Sequence, residues 1–267
     1  MRKCARMNAW PLTLSAAGAC AGVAAWGAVS STSQLFGTTL CRTPDASLIA
    51  LTFDDGPNPA LTPQLLSLLE RQRATATFFL IGGFARACPE LVREIADRGH
   101  SIGNHTETHV NLTWLPAWRI ADELRACQES ILRALGFERD AAPILMRPPF
   151  GYRGPQLWSA IRRVGLRGVA MWSLKCYDWR PQPAAILIER LRRVAERSGR
   201  SSLGAQGIKS ACRGEVVLLH DGDARKLGAD RGHVLAALEY WLPRWRDAGF
   251  KFVTMHQLAE ASSPRAS

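Results

Sequence analysis

From residue 48 onward the chain repeats one arrangement: a short apolar run, a turn, then a longer segment whose apolar residues recur at helical spacing. Runs such as Leu48-Ile49-Ala50-Leu51 and Val216-Val217-Leu218-Leu219 lack polar alternation, the pattern of strands buried on both faces. Helical crossovers between such strands make neighbours run parallel, which restricts the fold to the α/β class. Strands are expected at 48–53, 76–81, 101–103, 144–147, 168–172, 216–220 and 251–254. Helices are expected at 62–71, 89–98, 120–135, 156–164, 183–198 and 233–248. Pro63 and Pro89 stand near the first turns of two helices, and Gly99, Gly136 and Gly249 close three. About seven parallel strands suit a closed or nearly closed barrel, and 267 residues suit one large domain.

The residues ahead of this pattern have another character. Arg2, Lys3 and Arg6 make a basic start, no charge follows between 7 and 40, and 9–29 is rich in Ala, Gly, Leu and Val. That is the pattern of a secretory signal, and the apolar stretch is also close to the roughly 20 residues that span a bilayer. Residues 1–30 are therefore expected to be a signal peptide or an N-terminal membrane anchor. Ala28-Val29-Ser30 resembles a cleavage site, and Cys20 after Ala17-Gly18-Ala19 is a poor lipobox. An exported protein follows: periplasmic, extracellular or membrane-anchored. Residues 31–46, with their Ser, Thr, Gly and Pro, read as a linker, 47–260 as the folded domain, and 261–267 as a disordered tail. The stretch 197–213 reads as an exposed insertion.

The net charge of +11 is carried mainly by scattered arginines. It would favour anionic envelope polymers or lipid surfaces, and no nucleic-acid module has a fingerprint here. Nucleic acid is excluded as a partner, and a monomer is expected. Seven cysteines are present, with Cys4 and Cys20 in the leader. The remaining five, Cys41, Cys88, Cys127, Cys176 and Cys212, cannot all be internally bridged; one or two disulfides fit an exported protein.

Chemistry-bearing residues gather at the ends of the strand candidates. Asp54 and Asp55 end the first, ahead of the Gly56-Pro57 breaker. Adjacent carboxylates in a poorly solvated site stay ionised together only if a cation shares them, so one acid suits a metal and the other a base. His105 and His109 follow the third strand four residues apart; on a helical turn they project from one face and share a metal with a carboxylate such as Asp55. His100 lies outside this pair and is assigned a structural role. Arg147 ends the fourth strand before Pro148-Pro149-Phe150-Gly151-Tyr152, where an arginine can orient an acid and rigid backbone N–H groups can hold an oxyanion. Asp178 is available to pair with Arg147, and Trp179 to wall a sugar pocket. His220 ends the strand at 216–220 and can act as a general acid. Each motif alone has an ordinary structural explanation, such as a turn, a cap or a core aromatic. Together they fall on the face of a barrel where the strand ends converge.

Taken in this order, the motifs make the segment from Ala46 to Leu258 resemble the polysaccharide deacetylase family, carbohydrate esterase family four or NodB-homology domain. The resemblance implies a distorted, TIM-barrel-like (β/α)7 barrel and a metal-dependent hydrolase that removes N-acetyl groups from amino sugars of a glycan. By matching positions it implies Asp54 as general base and Asp55, His105 and His109 as ligands, usually to Zn2+ and otherwise to Co2+, Ni2+ or Mn2+. Arg147 would orient the base and pair with Asp178, the Phe150 amide would hold the oxyanion, and His220 would be the general acid. Trp179 and Leu218 would line the acetyl pocket, with Pro149 and Tyr152 as further substrate contacts. Two positions depart from the family pattern. Lys175 stands where Asp-x-x-Asp-Trp has its first acid, and Phe150 stands where tyrosine is frequent. The substrate would be a chitooligosaccharide, peptidoglycan or poly-N-acetylglucosamine. Competing readings are a deacylase or deformylase of a lipid-linked amino sugar at the membrane, and a non-catalytic carbohydrate-binding barrel.

Overall fold

The computed structural model of the chain describes residues 10–137, 144–197 and 213–261. Residues 138–143, most of the 197–213 stretch, Cys4, Cys212 and the 261–267 tail beyond Ala261 lie outside the described residues. The elements run α1 (Trp10–Val29), β1 (Thr39–Leu40), β2 (Arg42–Thr43), β3 (Leu48–Gly56), α2 (Thr62–Arg71), β4 (Ala76–Leu80), α3 (Gly82–Ala87) and α4 (Pro89–Asp97). They continue with β5 (Ser101–Asn104), α5 (Ala117–Leu135), β6 (Leu145–Met146), α6 (Gln156–Val164), β7 (Gly168–Ala170) and β8 (Leu174–Lys175). The last are α7 (Ala184–Leu191), α8 (Arg193–Arg197), β9 (Gly214–His220), α9 (Gly232–Asp247), β10 (Lys251–Phe252) and α10 (Met255–Ala261). None of the described helices is long and apolar enough to cross a membrane.

The strands β7-β6-β5-β4-β3-β9 form a parallel ladder, and the chain itself bends that ladder into a barrel. β7 pairs with β6, but after residues 171–173 the same stretch sidesteps and β8 pairs with β9, at the other end of the ladder. The mouth is closed in this way. At the base the opening is filled by β1, parallel to β7, and β2, antiparallel to β9. The expected linker is thus partly sheet. Arg153, buried, also ties its N-terminal end down by donating from Nη2 to the Ser30 and Ser33 carbonyls, both at 2.7 Å.

Period-two alternation decides what each strand offers. Ile49, Leu51 and Phe53 join one apolar cluster with α2 and α9, whereas Ala50 joins a second cluster with Phe79, Met146, Ala170, Trp172 and Leu218. Thr52 and Asp54 share the parity of Ala50, and β9 sets Leu218 and His220 opposite them. The helices earn their places through apolar stripes: Leu65, Leu66 and Leu69 of α2 are fully buried, which stabilises the fold by roughly 1.5–3 kcal/mol each. The helices expected at 62–71 and 156–164 appear with those bounds, and the one expected at 183–198 is split at Arg192 into α7 and α8. Strands expected at 144–147, 168–172 and 251–254 are shorter, because only two or three residues of each find a ladder partner. All cysteines among the described residues are free thiols, with Cys127 and Cys176 buried, so no disulfide joins them.

Candidate metal centre flanked by an acid and a base

Asp54 and Asp55 cannot both face the barrel mouth on a regular strand, since adjacent side chains point to opposite faces. The register of β3 against β4 slips between Asp54 and Gly56, and Asp55 takes a left-handed φ of 68°. That bulge turns the second carboxylate back toward the mouth. It also requires Gly222 at the end of β9, where a Cβ would lie 1.9 Å from the Asp55 carbonyl oxygen. Asp54 and Asp55 are both buried.

His105 leaves β5 with its backbone N–H bonded to the Leu80 carbonyl at 2.9 Å, and its Nδ1 donates to the Arg147 carbonyl at 2.8 Å. Nε2 is thereby left with its lone pair facing Asp55 Oδ1 at 3.4 Å. The His109 Nε2 lies 3.2 Å from the same oxygen. The two imidazoles do not meet on a helical turn as their spacing suggested. Thr106 and His109 both have left-handed backbones (φ 67° and 57°) in a loop stapled by His109 N–H to Thr106 Oγ1 and Thr106 N–H to Asn104 Oδ1. Asp55 Oδ1 is buried without a hydrogen-bond donor, and one ligand atom from each of Asp55, His105 and His109 lies within 4.8 Å of the others. A buried carboxylate oxygen with no donor, faced by two imidazole nitrogens, fits a divalent cation of the kind bound by two histidines and a carboxylate. Burial resists ionisation of Asp55, but the His105 and His109 contacts hold its carboxyl well below the usual range.

Asp54 is held from the opposite side. Arg147, wholly buried, donates from Nη1 to Asp54 Oδ1 and to Thr52 Oγ1, both at 2.7 Å. Its Nε and Nη2 reach the Ala170 and Met171 carbonyls at 3.3 and 3.1 Å, and its guanidinium lies 4.1 Å from the Phe79 ring centroid. These contacts leave no place for Asp178, and the expected Arg147–Asp178 pair does not form. The sidestep into β8 carries Asp178 to β9 instead, where Oδ2 accepts the His220 backbone N–H at 2.6 Å and Oδ1 lies 3.0 Å from His220 Nδ1. Burial opposes a charged imidazole at His220, but Asp178, with Asp55 and Asp54 behind it, outweighs burial and raises its pKa to about 9. His220 Nδ1–H is thus committed to Asp178, and Nε2 is the nitrogen available to a ligand.

The remaining predicted residues surround these groups. Phe150 has a left-handed φ of 60°, and its ring, exposed, meets His109 edge-on at 4.7 Å and Tyr152 at 6.1 Å. Gly151 also has a positive φ (75°), and a Cβ there would lie 2.3 Å from Trp172. Pro149 is buried and Tyr152 exposed on the same turn. Trp179 packs 5.6 Å from the His220 ring, and Leu218 is buried two residues before it. His100 is buried under β4, where Nδ1 accepts the Ala76 N–H at 3.2 Å and burial lowers its pKa to about 4, a structural placement.

Sequence reasoning missed several supports. Asp221 is buried beside Gly56, accepts from Thr62 Oγ1 at 2.5 Å, and has its pKa raised to about 7 by burial and by Asp55 and Asp54, despite the Thr62 bond. Its place next to His220 was the only signal. Arg231 binds the Gly222 and Trp179 carbonyls at 2.7 and 2.8 Å, and His233 Nε2 donates to the Asp178 carbonyl at 2.8 Å; neither has a sequence signal.

The profile of the family described as Polysaccharide deacetylase matches residues 42–169, which contain the Asp54–Asp55 bulge, the histidine loop and Arg147. A peptidoglycan-N-acetylglucosamine deacetylase of Bacillus cereus is 37% identical over 213 residues, covering 79% of this chain and 87% of the relative. The chain belongs to the polysaccharide deacetylase family. A chitooligosaccharide deacetylase of Azorhizobium caulinodans is 32% identical, covering 78% and 92% of the two chains. Among solved structures, a peptidoglycan N-acetylglucosamine deacetylase superposes with a TM-score of 0.66 at 29% identity, covering 85% and 94%. This polysaccharide deacetylase has the family's distorted (β/α)7 barrel and catalyses metal-dependent N-deacetylation of a glycan, and Asp55, His105 and His109 are the residues placed to hold a metal. A Bacillus anthracis pseudoenzyme of the family, at 21% identity and a TM-score of 0.66, shares the fold alone, so the assignment of roles has to come from the side chains.

Proposed function

We propose that the protein hydrolyses the acetamide of N-acetylated amino sugars in an envelope glycan, peptidoglycan foremost, and releases acetate. One juxtaposition carries the reading: a ligand triad at Asp55, His105 and His109 stands between an arginine-held carboxylate, Asp54, and an aspartate-held imidazole, His220. The relative with 37% identity is named for peptidoglycan, which supports that glycan over chitooligosaccharide. Zn2+ suits the two-histidine, one-carboxylate donor set, with Co2+, Ni2+ and Mn2+ as substitutes. When bound, the cation supplies Lewis-acid polarisation of the carbonyl and lowers the pKa of water to roughly 7.

The chain's own residues do the rest. Asp54, held by Arg147 through Oδ1, takes the proton of the attacking water on Oδ2, the oxygen not bonded to arginine. The Phe150 backbone N–H is assigned to the developing oxyanion, and Leu218 and Trp179 to the acetyl methyl. Pro149 and Tyr152 are assigned to the sugar. His220, charged through Asp178, gives its Nε2 proton to the departing nitrogen, which would otherwise leave as a strongly basic amide anion. The leader at 1–30 supports export, with α1 as the means of any membrane association, and the enzyme is assigned as a monomer.

Acetate release from peptidoglycan and from chitooligosaccharides tests this directly. Purified protein is expected to release acetate from peptidoglycan, to lose that activity on chelation, and to regain it with Zn2+. Release that survives exhaustive chelation would overturn the metal assignment, and no release from either polymer would overturn the function.

A further inference from the structure

Among the described residues, the buried charges of Asp54 and His220 each have a partner of opposite sign, but a cation at the mouth, Lys175, has none. Lys175 ends β8, is half-buried, and has its Nζ 4.6 Å from the Trp179 ring centroid, 5.4 Å from Tyr177 and 5.7 Å from Trp172. Among the described residues its ammonium has neither a carboxylate partner nor a hydrogen bond. Arg190, which shares the Tyr177 ring, is different: its Nη1 is satisfied by the Cys176 carbonyl and Gln182 Oε1.

Lys175 also stands where a substrate passes. β8 sets it opposite Leu218, so it shares the inward face that ends in His220. Trp179 separates it from the His220 imidazole by one ring, and Trp172 underlies the Phe150–Gly151 turn. The ammonium is therefore between the proton donor and the loop assigned to the oxyanion. Three aromatic faces stabilise a cation there, but they do not neutralise it, and burial lowers its pKa. An acceptor with a full negative charge would supply what the cage lacks.

We propose that Lys175 is a specificity residue that binds a carboxylate carried by the sugar substrate beside the acetamide under attack. The proposal rests on the deacetylase reading of the same mouth and adds to it an acidic N-acetylated amino sugar as the preferred substrate class. A monoanion matches the single ammonium. A phosphate dianion would leave a surplus negative charge facing Asp54 and Asp178, and a neutral sugar would leave the ammonium desolvated and unpaired.

The experiment compares peptide-free glycan strands whose muramic acid carboxylates are either free or converted to methyl amides. The wild-type enzyme is expected to favour the free acid by roughly 10- to 100-fold in kcat/KM, the range for a hydrogen bond to a charged group. That preference should shrink as salt is raised. Lys175→Met should bring the ratio near one, and Lys175→Arg should restore most of it, which a merely structural role would not do. Equal rates on the two strands, or a preference that survives Lys175→Met, overturns the proposal. A stronger preference for a phosphorylated N-acetylated sugar than for the carboxylate overturns it in favour of phosphate. Absence of acetate release from every substrate, chitotetraose included, sinks the deacetylase reading instead. Tryptophan-fluorescence titration with N-acetylmuramic acid and N-acetylglucosamine then decides Lys175 alone, since the wild type and Lys175→Arg, but not Lys175→Met, should bind the acid more tightly. If Lys175→Met fails to fold, as judged by circular dichroism, Lys175→Gln takes its place in both measurements.

Discussion

Asp54 and His220 are register partners on adjacent strands, at the same height in one barrel, and they are held by opposite means. Asp54 has a cation behind it: Arg147, buried and committed on every side to Thr52, Ala170, Met171 and Asp54 itself. His220 has an anion behind it: Asp178, which grips both its ring and its backbone. The arginine sets a positive charge against a carboxylate oxygen, and the aspartate raises the pKa of an imidazole. Two groups in one pocket thereby face partners of opposite charge, which suits the base and acid roles proposed for them. In the proposed reaction, what distinguishes base from acid is the partner each strand neighbour supplies, and that partner is set by where the chain bends.

The base arm breaks with the largest effect. Asp54→Asn keeps the volume and the Arg147 contact but removes the proton acceptor, so kcat is expected to fall by about 10²–10⁴. Metal content measured on the same preparation should be unchanged, because Asp55, His105 and His109 remain. Retained turnover would move the base elsewhere, and lost metal would make Asp54 a ligand.

The acid arm predicts a smaller loss with a distinct signature. His220 has a folded pKa of about 9, above the ordinary value of 6.5, so its imidazolium persists across neutral pH and is lost as pH rises through about 9. Any stability gained from its pairing with Asp178 follows the same course, fully present below 6.5 and gone above 9. The alkaline limb of kcat against pH is expected above 6.5, held up by Asp178, with a bound cation offsetting the part that Asp55 and Asp54 add. Asp178→Asn should shift that limb downward by more than one pH unit, costing roughly 10-fold in rate near pH 8 and little near pH 6. A limb that does not move would show that Asp178 positions His220 without charging it.

These two arms also mark how far the sequence could be read. Strands 48–53, 76–81 and 216–220 were legible because they are buried on both faces, which leaves a continuous apolar run. β1 and β2 were not, since two-residue strands exist only by virtue of the partners they find at the base of the barrel. The site residues were named from their motifs, but their geometry was not. Strict alternation would point Asp55 away from Asp54, and only the left-handed bulge reverses it. The histidine spacing suggested a helical turn, where two left-handed residues make a loop instead. Asp178 was assigned to Arg147 because sequence order says nothing of the sidestep between β7 and β8, which delivers it to His220. Such features depend on contacts between segments far apart in the chain, and no local pattern encodes them.

The smallest expected effect concerns Asp221, which sits beside both arms and belongs to neither. Its carboxyl is wholly buried, with one oxygen bonded to Thr62 and the other without a donor. Its folded pKa of about 7 is above the ordinary 3.8, so in the metal-free protein the folded state holds a proton that the unfolded state releases. Stability from this group is therefore full below about 4 and declines as pH rises to 7. The melting temperature of the metal-free protein should fall across that window, and Asp221→Asn, which cannot ionise but can still accept from Thr62, should flatten the decline. Binding of a divalent cation should do the same in the wild type, because its positive charge beside Asp55 offsets the carboxylates that raise the Asp221 pKa. If the metal-free wild type and Asp221→Asn show the same pH profile, the pH-dependent penalty must be assigned to another group among the neighbouring acids.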